Sequence, residues 1–149
     1  MFVNIRPATL DDVSAILAIE GAAPTAAHWT REQYVALIEF GVVLVAEREA
    51  GVTGFICVRE VAGEWEIENI VVPESVRRHG IGQAMLRVLL RKMQDAGGSA
   101  VWLEVRESNL AARRFYEKNG FRECGRRAQY YQQPTEDALL YQLQLSSSK

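Results

Sequence analysis

Three strand-like segments in succession, joined by turns of two or three residues, restrict the fold of this chain more than any other feature. Segments 42–49, 53–61 and 64–72 are rich in β-branched and apolar side chains, and the turns fall at Ala50-Gly51 and Ala62-Gly63. Turns this short join antiparallel neighbours. The sequence therefore predicts a β-meander at the centre of the domain.

A strand–helix–strand crossover follows the meander. Apolar side chains recur at helical spacing over 81–96, and Val101 to Val105 read as a strand. A connection of this length predicts that the strand at 101–105 runs parallel to the strand at 64–72. The sequence thus indicates a mixed α/β single domain, with further strands at 2–6, 121–129 and 139–145, and further helices after Thr9, from a capping box at Thr30, and at 110–118.

Composition narrows the function classes. The 149 residues are 48% hydrophobic and 24% charged, which is typical of one soluble globular domain. The formal charge of -2 lacks the basic excess of a general nucleic-acid binder. We find no apolar run long enough to span a membrane and no secretory signal, so we expect a cytoplasmic protein. Cys57 and Cys124 lie in strand-like stretches without metal-ligand spacing, and we expect both to be core thiols and no metal to be bound.

The segment Arg77-Arg78-His79-Gly80-Ile81-Gly82 lies between a strand and the start of a helix. Backbone N–H groups and the positive end of the helix can converge there on an anion, and the two arginines add charge. The alternative is an ordinary glycine-rich turn with solvated arginines. A P-loop is excluded because Gly-Lys-Ser/Thr is absent, and a dinucleotide fingerprint because Met85 stands where a third Gly or Ala is required.

The same turn resembles the acetyl-CoA motif of the GNAT acetyltransferase superfamily, Gln/Arg-x-x-Gly-x-Gly/Ala, which Arg77, Gly80 and Gly82 match. Stretches 103–112, 115–121 and 127–138 are similar to the ribosomal-protein-alanine N-acetyltransferase group of that superfamily (RimI type). The resemblance covers most of residues 3 to 145. It implies a single-domain GNAT fold over 1–145, with a central mixed sheet of about seven strands and four flanking helices. We expect residues 146–149 to be a disordered tail.

The resemblance also implies an acetyl-CoA-dependent N-acetyltransferase in which an amine attacks the thioester directly. The thioester and pantetheine arm would lie along the backbone of Ile70, Val71 and Val72. Asn109 would contact the cofactor, and it is also suited to cap the following helix. The pyrophosphate would bind beside Arg77 on the turn formed by Arg78, His79, Gly80, Ile81, Gly82 and Gln83.

Two side chains match the family's acid and base. Glu104 would be the general base, and strand alternation independently places it on the face of Trp102 and Arg106. The alternative is a structural carboxylate paired with Arg106. Glu68 competes as base, because other enzymes of this superfamily use a glutamate on that strand. Tyr116 would protonate the departing thiolate, or it is simply an aromatic side chain packed in the core.

The acceptor implied by the resemblance is the N-terminal α-amine of a protein such as a ribosomal protein. Its groove would lie between loop 21–29 and loop 127–134, with Trp29, Tyr130 and Tyr131 as binding residues. The tyrosines could equally be rim packing. The chain departs from the group at Ala27-His28-Trp29, where a Phe-Pro-Trp-like sequence is frequent, and this weakens the choice of peptide. A small-molecule amine acetyltransferase and a non-catalytic acyl-CoA-binding module are the alternative functions.

Overall fold

The computed structural model describes residues 3–23, 28–73, 76–77, 80–132 and 134–145. A short 3-10 turn at Leu10–Asp12 precedes the first α-helix. The strands are β1 (Asn4–Pro7), β2 (Val42–Arg48), β3 (Gly51–Val61), β4 (Glu64–Val71), β5 (Ala100–Arg106), β6 (Arg122–Tyr131) and β7 (Glu136–Gln144). The helices are α1 (Val13–Gly21), α2 (Arg31–Phe40), α3 (Ile81–Asp95) and α4 (Leu110–Lys118).

The seven strands form one sheet in the order β1-β2-β3-β4-β5-β7-β6. Strands β2, β3 and β4 form the predicted antiparallel meander, and β4 and β5 are the predicted parallel pair on either side of α3. The capping box at the start of α2 is also present, with Gln33 N donating to Thr30 Oγ1 at 3.2 Å and Thr30 N to Gln33 Oε1 at 2.7 Å. The predicted mixed sheet with four helices is confirmed.

Two irregularities in β4 shape the middle of the sheet. Cys57 pairs with Asn69 and Val58 with Ile67, so Glu68 is an extra residue that forms a bulge in β4. On the other side, pairing with β5 covers Trp65↔Val101 and Glu66↔Trp102, although β4 continues to Val71 and β5 to Arg106. The two strands, both fully described, therefore part after Glu66 and leave a gap inside the sheet.

Apolar side chains cover both faces of the sheet. Met85, Leu86 and Leu89 of α3 pack with Tyr116 of α4 on one face. Val13, Ile16, Tyr34 and Leu37 of α1 and α2 pack on the other. Strand β3 supplies both cores alternately, with Ile56 and Val58 to the first and Phe55 and Cys57 to the second. Because both of its faces are buried, the meander is the central part of the fold, and the site lies next to it.

Some sequence predictions are corrected. Cys57 is buried as expected, but Cys124 is exposed, because β6 is the edge strand of the sheet and nearly all of its residues face solvent. Strand β7 begins at Glu136 rather than 139, since its pairing with β6 extends to Tyr131↔Glu136. The predicted disordered tail, 146–149, lies outside the described residues. Within the described ranges, no helix has the length and apolar character needed to cross a membrane.

Candidate active site

The gap between β4 and β5 opens beside the residues assigned to the thioester. Ile70 and Val71 end β4, and Val72 follows them directly. Because β4 has parted from β5 at this point, its edge toward β5 is not paired with that strand, and an unpaired strand edge is the kind of surface along which an extended ligand can bind. Arg77 Nε donates to the Val72 carbonyl at 3.0 Å, which holds the start of the glycine turn against the end of β4.

The glycine turn leads into α3 in the manner that anion binding requires. Gly80 has φ +75°, a left-handed conformation that favours glycine, and it is the N-cap of α3. The first helical hydrogen bond runs from Ala84 N to Gly80 O at 2.9 Å, so the amides of Ile81, Gly82 and Gln83 lie in the first turn, where a helix has no internal acceptors for them. Arg78 and His79 lie outside the described residues.

Helix α4 packs against this turn. A Cβ built on Gly82 would lie 3.6 Å from Phe115 Cζ and 3.7 Å from Val72 Cγ2, so α3, α4 and the end of β4 meet at this glycine. Asn109 caps α4, accepting from Ala112 N at 3.2 Å, which confirms the capping role predicted for it. Tyr116 is buried between Phe115 and Phe121, with ring centroids 5.3 and 5.5 Å away, and burial raises its pKa. Tyr116 is therefore a neutral phenol at physiological pH.

Three carboxylates lie together where β4 and β5 part. Glu104 alternates with the buried Leu103 and Val105 and so faces the α1/α2 side of the sheet, as predicted. Glu66 is beside Trp102 in the parallel register, and burial together with the charges of Glu68 and Glu104 raises the pKa of Glu66 to about 7. Such a carboxyl group can exchange a proton at physiological pH.

Arginines pair with two of these carboxylates. Glu68 binds Arg59 Nε, and Glu104 Oε1 lies 3.3 Å from Arg127 Nη1. The sequence-based alternative, Glu104 paired with Arg106, is wrong, because Arg106 instead binds Glu136 at 3.1 Å. Sequence reasoning assigned no role to Glu66, Arg59 or Arg127. Glu66 could have been noticed from its spacing to Glu68, whereas the arginine pairings depend on which strands adjoin.

The paired tyrosines lie next to Glu104. Tyr130 and Tyr131 contact each other edge to face at 5.2 Å, with Arg127 over the Tyr130 ring and Arg106 over the Tyr131 ring. The charge of Glu104 raises the pKa of Tyr130, and burial raises that of Tyr131 to about 12. Tyr130 and Tyr131 therefore lie close to Glu104, the predicted general base.

Trp29, the third predicted acceptor residue, packs at the start of α2. Its ring lies 6.2 Å from the Tyr34 ring, and it belongs to the core on the α1/α2 face, the face that Glu104 also occupies. Within the described ranges, no group of three His, Cys, Asp or Glu side chains is arranged to hold a metal ion.

Known proteins resemble this arrangement over most of its length. Residues 12–121 match the Acetyltransferase (GNAT) family. The chain is 38% identical over 96 residues to the [ribosomal protein bS18]-alanine N-acetyltransferase of Escherichia coli K12, an alignment that covers 62% of this chain and 64% of that relative. It is 29% identical over 139 residues to the putative enzyme of that name from Bacillus subtilis, covering 91% of each.

A solved structure agrees with these sequence relationships. The crystal structure of the ribosomal-protein-S18-alanine N-acetyltransferase from Escherichia coli superposes with a TM-score of 0.87 at 29% identity. The superposition covers 99% of this chain and 97% of that one. The sequence match to the curated Escherichia coli relative, by contrast, spans slightly less than two thirds of that protein.

Proposed function

Because the chain belongs to the acetyltransferase (GNAT) family, we propose that it transfers the acetyl group of acetyl-CoA to the N-terminal α-amine of a protein. The observation that carries the proposal is the parting of β4 from β5 directly beside Glu104. An extended donor along β4 and an amine beside Glu104 would approach each other at that gap. The names of the similar bacterial enzymes support a protein acceptor such as a ribosomal protein, and such an acceptor would place the enzyme in the cytoplasm.

The residues around the glycine turn fit acetyl-CoA. The backbone of Ile70, Val71 and Val72 would take the thioester and pantetheine, and the first-turn amides of α3 the pyrophosphate, with Arg77, Arg78, His79 and Asn109 around them. Gly80, the left-handed N-cap of α3, and Gly82, whose Cβ position is 3.7 Å from Val72 Cγ2, support this fit, because they leave the first turn of α3 next to the end of β4 without a side chain between them. Acetyl-CoA would supply an activated acyl group, and its thiol would leave as CoA.

The protein's own side chains would move two protons. Glu104 would act as the general base and accept a proton from the acceptor ammonium, directly or through water. Tyr116, which burial keeps protonated, would donate its proton to the leaving thiolate. Tyr130 and Tyr131 would hold the acceptor backbone beside Glu104, and Trp29 would line the groove from the α1/α2 side.

An α-amine is easier to deprotonate than a lysine side chain. With reference pKa values of about 7.7 to 8.0 and about 10.4, roughly one α-amine in ten is neutral at pH 7, against about one lysine in a few thousand. The difference of about 2.5 pKa units corresponds to roughly 3.4 kcal/mol. A site with a carboxylate as its base therefore favours a chain end as acceptor.

The test compares three acceptors. The protein is incubated with acetyl-CoA and an unblocked, lysine-free peptide that begins with alanine, an N-acetylated peptide that contains lysine, or a free polyamine, and mass spectrometry locates the acetyl group. We expect only the unblocked peptide to be modified, at its N-terminus. Modification of the blocked peptide alone would overturn the α-amine assignment, turnover of the polyamine alone would favour a small-molecule acetyltransferase, and cofactor binding without transfer to any acceptor would indicate a non-catalytic module.

A further inference from the structure

Glu20, a buried carboxylate at the end of α1, makes contacts that have no role in the proposed catalytic steps. The Glu20 side chain is 5% exposed and lies in the last turn of α1. Burial disfavours an isolated carboxylate, and so does the negative end of a helix dipole. A glutamate in this position is therefore stable only because other groups donate to it.

The groups that donate hydrogen bonds to Glu20 come from the side of the proposed site that would bind the acceptor peptide. Trp29 N donates to Glu20 Oε2 at 2.9 Å, and the Tyr34 hydroxyl donates to the same oxygen. His28 Nδ1 lies 3.5 Å from Glu20 Oε1. Burial and the bond to Glu20 raise the pKa of Tyr34, so its hydroxyl remains a donor at all physiological pH values. One carboxylate oxygen of Glu20 thus accepts hydrogen bonds from both the Trp29 backbone, just before α2, and the Tyr34 side chain of α2.

The same hydrogen-bond network reaches the side of the site that would bind acetyl-CoA. Asn69 Nδ2 donates to the Tyr34 hydroxyl oxygen at 3.3 Å, and Asn69 is the residue before Ile70 in β4. The Tyr34 ring also packs edge to face on Phe55 of β3, at 5.7 Å. A continuous path of hydrogen bonds, partly buried at Trp29 and fully buried beyond it, therefore joins the Trp29 backbone to β4 through Glu20, Tyr34 and Asn69.

We propose that Glu20 is a positioning residue, which fixes the acceptor wall at Trp29 relative to the strand that holds the thioester. The inference rests on the proposed function, since that function assigns Trp29 to the acceptor and β4 to acetyl-CoA. Reacting groups must be aligned to within a fraction of an ångström for efficient transfer. Loss of the Glu20 carboxylate should therefore weaken binding of the acceptor peptide. Acetyl-CoA would be bound through the glycine turn and β4, so its affinity should be kept.

Three variants separate positioning from stability. Glu20→Ala leaves the Trp29 and Tyr34 donors without their acceptor, and we expect the acceptor KM to rise about tenfold or more. Glu20→Gln retains an oxygen that can accept both bonds and should stay within about threefold of wild type. Tyr34→Phe breaks the path to Asn69 but keeps the Glu20–Trp29 bond, and should raise the acceptor KM by an intermediate factor. Acetyl-CoA affinity, measured by calorimetry, should change less than about twofold in all three.

Leu89→Val is the matched control, because it loosens the core on the opposite face and lowers the Tm without touching the network. An acceptor KM that rises equally in Leu89→Val, or that is unchanged in both Glu20→Ala and Tyr34→Phe, would overturn the inference and leave Glu20 a stabilising residue.

A second measurement does not depend on turnover. Hydrogen exchange of the Trp29 amide should accelerate about tenfold or more in Glu20→Ala and little in Glu20→Gln, because the amide loses its acceptor only in the first. If the wild-type protein binds acetyl-CoA but acetylates no peptide, the proposed function fails, and this exchange measurement still decides on the network. Unchanged Trp29 exchange in Glu20→Ala would overturn the inference.

Discussion

Arg127 Nη1 lies 3.3 Å from Glu104 Oε1, although β7 separates the strands that carry the two residues. The contact is possible because Arg127 pairs with Ala138 of β7, and Ala138 with Arg106 of β5, which places Arg127 on the face of the sheet that Arg106 and Glu104 share. The guanidinium is half exposed, whereas the carboxylate side chain is 13% exposed. A half-exposed cation therefore occupies one side of the carboxylate that is proposed to receive a proton from the acceptor ammonium.

Removing the Arg127 charge should strengthen acceptor binding. In Arg127→Gln the ammonium of the acceptor no longer competes with a guanidinium at Glu104, and we expect its KM to fall about two- to fivefold, as for a partly exposed ion pair. Arg126→Gln is the control, since it removes the same charge from β6 but breaks pairs with Glu107 and Asp137. Steady-state kinetics at low ionic strength make the comparison, and a higher KM in Arg127→Gln would show that Arg127 holds the acceptor instead.

Negative charge at Gly82 should abolish most of the acetyl-CoA affinity. A Cβ fits there at ordinary van der Waals distance from Phe115 and Val72, so substitution does not by itself disrupt the fold. Gly82→Asp places a carboxylate in the first turn of α3, and we expect at least about a tenfold loss of affinity by calorimetry. Gly82→Asn has nearly the same size without the charge and should lose much less. Equal affinities for the Asp and Asn variants would remove the pyrophosphate assignment.

The choice of base is tested by paired amide substitutions. Glu104→Gln should lower kcat by about 10² to 10⁴, whereas Glu68→Gln should retain most of the activity, because Arg59 holds Glu68 in a closer ion pair than Arg127 holds Glu104. Acetyl-CoA affinity should be unchanged in both variants. If Glu68→Gln is inactive and Glu104→Gln is active, the base is Glu68.

Tyr116→Phe tests the proposed acid with little structural change. The ring keeps its contacts with Phe115 and Phe121, so we expect a Tm close to that of the wild type. The loss of the hydroxyl should lower kcat by about 10² or more with little effect on acetyl-CoA affinity. A fully active Tyr116→Phe variant would leave Tyr116 as a core aromatic only.

Glu66 should make folding stability depend on pH between about 4.5 and 7. Its pKa is raised to about 7 in the folded state, so in this window the folded protein binds more protons than the unfolded chain. The stability contributed by protonated Glu66 is present below its unfolded pKa and is lost as pH rises through 7. Denaturant unfolding at pH 5 and pH 8 should show a smaller fall for Glu66→Gln than for wild type, and equal falls would contradict the prediction.

The sequence predicts the elements whose signals are local. The meander follows from the turns at Ala50-Gly51 and Ala62-Gly63, and the start of α2 from the Thr30–Gln33 capping box. The face on which Glu104 lies follows from simple alternation along β5. Each of these depends on neighbours within a few residues, which is why a single sequence suffices.

The features that the sequence did not predict depend on which segments meet in space. The bulge at Glu68 and the parting of β4 from β5 arise from pairing between distant strands. Cys124 has a strand-like pattern, but its exposure depends on β6 lying at the sheet edge. The partner of Glu104 is likewise set by the pairing of β6 with β7 and of β7 with β5, which no short pattern encodes.

The short junction between β4 and β5 has a mechanical consequence. Two residue pairs connect strands β1 to β4 with strands β5 to β7, so few backbone hydrogen bonds hold the two halves of the sheet together. An acetyl-CoA molecule bound along the gap between β4 and β5 would contact both halves of the sheet. The hydrogen bonds that bind the donor would then also join the two halves of the sheet, and this link would form and break once in every catalytic cycle, as the next donor arrives and product leaves.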